Sequence, residues 1–431
     1  MESISESNRE TYQGFVNEPF EDNPKRTNFF TTETKKLIII ISLSIIIISL
    51  ITVILLLSTK KTEKKNPIIC DDGYYLPEDD KSHCLQCSEN HCKKCHGTKK
   101  SNICTSCFYG YIIDNNTFNN TCEENHSIKA IYTTSIINET IYLIHYIYIN
   151  NIKEMVIDNE LVKPVDEYMF PDTGNHTIYY LFDNNLETLG EMFYGAESLI
   201  SITFTSLFNT ENITNLNFMF YGCKQLTSID ISHFNTENVI YLSGMFELCY
   251  SLLSIDLSSF NTQNVTSMNM MFYGCHSLTS INITHFSTKE LTGMTNMFDS
   301  CYNLSEIDLS NFDTKYVYSM SYLFFRCYSL TSINLSNFSI QKVGFMEGMF
   351  EDCHSLTSID LSHFNTENVT KIDYMFYRCK NLRYIDISGF IYYKNVSLFY
   401  DLPEAGTIVI NNDFINLIDK QIPSNWNIEY K

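Results

Sequence analysis

The sequence predicts a mainly β protein in which a solenoid of about eight 26-residue units with a parallel sheet follows a small β-rich cap, a disulfide-rich stalk and one transmembrane helix. Three observations predict it. Cys223, Cys249, Cys275, Cys301, Cys327, Cys353 and Cys379 recur at a step of 26 residues, the mark of stacked repeats. Eight further cysteines crowd into residues 70–122, and residues 37–58 run for 22 positions without a charge.

Residues 1–36 mix Ser, Glu, Asn and Pro with no helical or strand period, so they read as a disordered tail. Tyr12-Gln13-Gly14-Phe15 has the tyrosine-x-x-apolar form of a sorting signal, a pattern also common by chance. The apolar run Leu37 to Ser58 spans about 33 Å as a helix, enough to cross the lipid bilayer. It is too long, starts too far in and lacks the small-residue site of a cleaved signal peptide, so it reads as an uncleaved signal anchor. Lys25, Arg26, Lys35 and Lys36 before it balance Lys60, Lys61, Lys64 and Lys65 after it, so basic flanks do not set the orientation. Clustered, paired cysteines are usual in oxidising compartments, and all 15 follow the span, as do all 13 Asn-x-Ser/Thr sequons. The expected topology is a single-pass plasma-membrane protein, residues 1–36 cytoplasmic and 59–431 extracellular, with 59–69 as the juxtamembrane linker.

Cys70, Cys84, Cys87, Cys92, Cys95, Cys104, Cys107 and Cys122 include three Cys-x-x-Cys pairs in a stretch too poor in apolar residues to support a core unaided. Outside the cell they would oxidise to about four disulfides; in the cytosol the pairs could hold zinc. The topology favours disulfides, with the connectivity open. The module resembles the cysteine-rich repeats of furin-like and growth-factor-receptor proteins, which implies a stalk. Residues 123–190 form the expected cap: SIKAIYTTSI, TIYLIHYIYI, KEMVIDN and HTIYYLF read as four or more strands of a sandwich-like unit.

The repeats occupy 191–390. Met219, Met245, Met271, Met297, Leu323, Met349 and Met375 keep the same step, as do Leu226 to Leu382 and a phenylalanine spine from Phe208 to Phe390. In each unit SIDLS alternates, placing Ile and Leu on one face and Ser, Asp and Ser on the other. Stacked cysteines share one direction and do not face each other, so they read as buried free thiols.

The unit MFxxCxSLTSIDLSxFNTxNVTxM resembles the BspA-like leucine-rich-repeat surface proteins of bacteria and unicellular eukaryotes, and LFYDLPEAGTIVI with IPSNWNIEY in 391–431 is similar to the cap ending such arrays. The resemblance implies a leucine-rich-repeat solenoid on a cell surface, with adhesion attributed to some members. The signal anchor and stalk depart from that pattern and leave the partner open.

Acidic residues number 50 against 29 basic ones, a formal charge of −21, which argues against nucleic-acid binding. No HExxH, GxSxG or Walker-type motif occurs, so no enzyme and no cofactor is expected. His233, His285 and His363 share a column explained by repeat inheritance. Asp230, Asp256, Asn282, Asp308, Asn334, Asp360 and Asp386 form the candidate binding face, read as a solvated stripe in preference to a metal site. Glycosylation candidates are Asn115, Asn138, Asn175, Asn264 and Asn368, whereas Asn282 and Asn334, also in sequons, should stay bare if the strand face recognises a partner. The expected function is adhesion or recognition through an extracellular protein or glycan ligand. A glycosylated coat is the alternative, and an intracellular zinc-stapled adaptor follows only from reversed topology.

Overall fold

A computed structural model describes residues 127–182, 186–391, 396–412 and 418–431, together with the backbone of six short strands before them. Those six are β1 (Tyr74–Tyr75), β2 (Leu85–Gln86), β3 (Cys92–Thr98), β4 (Ser101–Cys107), β5 (Tyr111–Asp114) and β6 (Thr121–Glu124). They pair antiparallel as β1 with β2, β3 with β4 and β5 with β6. The tail, the 37–58 span, Tyr12 and Phe15, Cys70, Cys84, Cys87 and Asn115 lie outside the described residues. Among the described residues no helix is long and apolar enough to cross a membrane.

Six strands follow: β7 (Ser127–Thr134), β8 (Glu139–Tyr142), β9 (Ile152–Ile157), β10 (Glu160–Val162), β11 (Glu167–Phe170) and β12 (Gly174–Phe182). The β-branched and aromatic segments read from sequence fall on β7, β9 and β12, which pair antiparallel. Tyr146–Asn151 differs: the apolar run expected as a strand is a 3-10 helix packed through buried Tyr148, whose hydroxyl donates to the Gly190 carbonyl at 2.6 Å. β13 (Leu199–Phe204) then pairs antiparallel with β7 and parallel with β14 (Ser228–Asp230), so one six-stranded sheet runs from this segment into the first repeats.

The repeats build a β-solenoid, mainly β with very little helix. Inside it Phe193, Phe220, Phe246, Phe272, Phe298, Phe324, Phe350, Phe376 and Phe399 form one stack, with neighbouring ring centroids 5.4–5.9 Å apart and planes within 12° of parallel. The Met, Cys and Leu columns and the Phe208 to Phe390 spine are buried beside it. Each repeat thiol donates to a phenylalanine carbonyl one turn earlier, from Cys223 on Phe193 at 3.3 Å to Cys379 on Phe350 at 3.0 Å. The seven cysteines are free and buried, and burial pushes their thiols well above the usual range.

The position of the ladder corrects the sequence reading. A continuous parallel sheet was expected through the SIDLS segments, but those segments pair only near the ends, β13 with β14 and β15 (Ser358–Asp360) with its successor. The ladder that recurs in every turn runs through the preceding segment: Leu216, Phe218, Phe220 and Gly222 donate to the carbonyls of Tyr241, Ser243, Met245 and Glu247 at 2.8–3.0 Å. Stacked rings at Tyr250, His276 and Tyr302 are 4.3 Å apart, the core phenylalanines about 5.7 Å, and Phe234 and Phe260 beside the strand 6.5 Å. At the entry to the strand face the turns meet only through long bonds, the N–H groups of Thr279, Ser305 and Thr331 donating to the carbonyls of Leu253, Thr279 and Ser305 at 3.3–3.5 Å.

The parallel stack also continues beyond residue 390. β16 (Phe376–Tyr377), β17 (Tyr384–Asp386), β18 (Phe399–Tyr400), β19 (Thr407–Ile410) and β20 (Asn427–Tyr430) complete the chain. β15 pairs with β17, β17 with β19 and β19 with β20, all parallel, so the solenoid has about ten turns.

Candidate functional site: the polar strand face

The candidate column lies on the strand face, and one local rule places most of it. The Oδ1 of Asp230, Asp256, Asn282, Asp308, Asn334, Asp360 and Asp386 accepts the backbone N–H of the Ser or Thr two residues on, at 2.9–3.3 Å. This closes an Asx turn that ends the strand, a task Asp and Asn perform equally well. Asp and Asn therefore alternate without breaking the repeat. In Asp256 and Asp308 the hydrogen bonds from Ser258 and Ser310 hold the carboxyls below the usual carboxylate range.

Asp386 stands apart. It is buried, and its Oδ2 meets Lys431 Nζ at 2.5 Å. Burial pushes its carboxyl up, but the bonds from Lys431 and Ser388 outweigh burial and hold it low. The structure therefore brings Asp230, Asp256, Asn282, Asp308, Asn334 and Asp360 to one exposed face and leaves Asp386 inside.

The histidine column has a packing role. Nε2 of His285 lies 3.0 Å from the Leu257 carbonyl and that of His363 3.0 Å from the Leu335 carbonyl. Asn311 Nδ2 makes the equivalent bond to Thr284, so a side-chain donor to the preceding turn is what this position asks for.

The glycosylation candidates separate into two environments. Asn138 is exposed in the turn after β7 with φ 57°, and Asn175 is exposed on β12. Asn264 and Asn368 are exposed, yet their Nδ2 atoms donate to the carbonyls of Glu237 and Gln341 in the preceding turn at 2.8 and 2.9 Å. Asn282 and Asn334 use Oδ1 locally, and their Nδ2 atoms have no protein acceptor among the described residues.

Between the mid-solenoid strands lies a groove lined by Ile281, Asn282, Glu306, Ile307, Asp308 and Asn334, among others. Ile281 and Ile307 form its floor at 8% exposure. Among the described residues the backbone N–H groups of Ile281, Asn282, Ile307, Asp308, Ile333 and Asn334 have no protein acceptor, as follows from the missing ladder.

Sequence reasoning missed a second surface. Tyr250, His276, Tyr302, Tyr328 and His354 stack in one half-buried row at 4.3–4.9 Å. Beside it Tyr221, Glu247, Tyr273, Asp299, Phe325, Glu351 and Tyr377 alternate ring and carboxyl at the 26-residue step, a signal legible only when columns are compared two repeats apart. Burial pushes Glu247 up to about 7 and Asp299 up to about 6. Farther along, Asp352 lies 3.5 Å from Arg378, 4.0 Å from Arg326 and 3.2 Å from His354. Among the described residues no group of three or more His, Cys, Asp or Glu is placed to hold a metal ion.

No curated protein and no solved structure matches the chain. Residues 184–306 and 277–390 match a family model described as a Mycoplasma protein of unknown function, DUF285. Over 184–390 the chain is thus similar to that family, and the match and the β-solenoid are both compatible with a BspA-like repeat protein.

Proposed function

We propose that this chain is a single-pass cell-surface protein that is anchored by residues 37–58, raised on an oxidised 70–122 stalk, and engages a partner through the strand face of its solenoid. The observation that carries the reading is the groove over Asn282, Asp308 and Asn334, where polar side chains and unpaired backbone amides line an exposed face. A packing surface would have those amides satisfied. The similarity to DUF285 and the BspA-like unit supports surface display. Treating intact cells with an impermeant protease tests the topology: residues 59–431 should be lost, together with adhesion, and survival of the full chain until permeabilisation would reverse the orientation. Site-resolved glycopeptide mapping separates recognition from the coat reading. Asn282 and Asn334 should be bare while other sequons carry sugar, and full occupancy at both would favour the coat.

A further inference from the structure

We propose that the strand-face groove centred on Asp308 is a binding site for a neutral oligosaccharide; the assignment rests on the recognition role proposed for that face. The groove offers hydrogen-bonding groups of both kinds. Among the described residues Asn282 and Asn334 each present an Nδ2 without a protein acceptor, and the Asp308 and Glu306 carboxylates between them accept. The neighbouring mid-solenoid turn adds a further exposed member of the column in Asp256. A row of ring hydroxyls, each able to donate and accept, matches such a lining.

Charge and shape exclude the competing ligands. The groove lining contains no Lys or Arg, and Glu306 with Asp308 would repel a phosphate, sulfate or carboxylate. It contains no aromatic side chain and no deep apolar pocket, so the anchoring contact of a tight protein partner has no seat. An inserted peptide strand would need about 9.6 Å between neighbouring strands, twice the ordinary spacing of about 4.8 Å. The ladder in each turn holds those strands far closer than that.

The Asx turn allows a test that leaves the fold in place, because Asp already occupies this position in neighbouring turns. The double variant N282D/N334D retains the Oδ1 acceptors and removes both Nδ2 donors. The probe is an immobilised panel of neutral hexose and N-acetylhexosamine oligosaccharides, printed beside sialylated and sulfated ones, exposed to the full chain. The wild type should bind neutral members, and the double variant should bind them at least about 10-fold more weakly with an unchanged melting temperature. D308N, which also keeps the turn, should weaken binding on its own and guards against a folding defect in the double variant. Preference for acidic members, equal binding by all three proteins, or no binding to neutral members would overturn the assignment. If cells bearing the chain still adhere while the panel stays blank, the oligosaccharide assignment fails alone and the recognition role stands.

Discussion

The ring of Phe218 occupies the space that a Cβ on Gly244, one turn later, would need. Phe218 and Gly244 hold equivalent positions in successive repeats, and both have left-handed backbones, φ 55° and φ 61°. Tyr322 and Gly348 repeat the arrangement. The seven positions Phe218, Gly244, Met270, Asn296, Tyr322, Gly348 and Tyr374 are all left-handed, so a large residue is tolerated there provided its neighbour yields room.

G244A should therefore destabilise the solenoid by about 2 kcal/mol, mostly through overlap with the Phe218 ring. In an F218A background the same change should cost about 1 kcal/mol less. Chemical denaturation of the four proteins of that cycle checks the coupling, and additive costs would contradict it.

Glu247 makes stability depend on pH. Burial raises its carboxyl to about 7, above its unfolded value near 4.5, so its contribution is fully present below pH 4.5 and is lost as pH rises through 7. Asp299, raised to about 6, acts in the same direction. E247Q should lose less stability than the wild type between pH 5 and pH 8, by an amount on the order of 1–3 kcal/mol. Parallel denaturation curves for the two proteins across that range would show that Glu247 does not carry the effect.

The cysteines should divide by environment. Cys275, like its six counterparts, donates to a buried carbonyl, so native protein should resist alkylation at these thiols. In the hairpin of β3 and β4 the register sets Cys92 opposite Cys107 and Cys95 opposite Cys104. Mass spectrometry after alkylation of denatured, unreduced protein should label the seven repeat cysteines and recover those two cross-links. Labelled Cys92 or Cys104 would contradict the pairing.

The 26-residue step, the buried Met, Leu, Phe and Cys columns and the polar outward face were legible in sequence because each is a periodic choice between apolar and polar. The ladder was not. SIDLS alternates like a strand, but alternation sets which residues face inward and does not say whether neighbouring strands approach closely enough to pair. The Asx turns leave a signal within the solvated stripe: Asp or Asn followed two residues later by Ser or Thr, as in Asp256 with Ser258 and Asn282 with Thr284. The left-handed column was hidden because only Gly244 and Gly348 among its seven members are glycine. Six residues of the Asp/Asn column are exposed, as the alternation predicts. Asp386 could not be separated from them, since its burial depends on Lys431, 45 residues away.

Amide hydrogen exchange tests most directly the claim that the mid-solenoid strand face is open and available to a ligand. The N–H groups of Ile281, Asn282, Ile307 and Asp308 should exchange rapidly, while those of Met270, Phe272 and Gly274, bonded to Thr295, Met297 and Asp299, should be protected by orders of magnitude more. Equal, strong protection at both sets would show a closed parallel sheet through the strand face and would contradict the account.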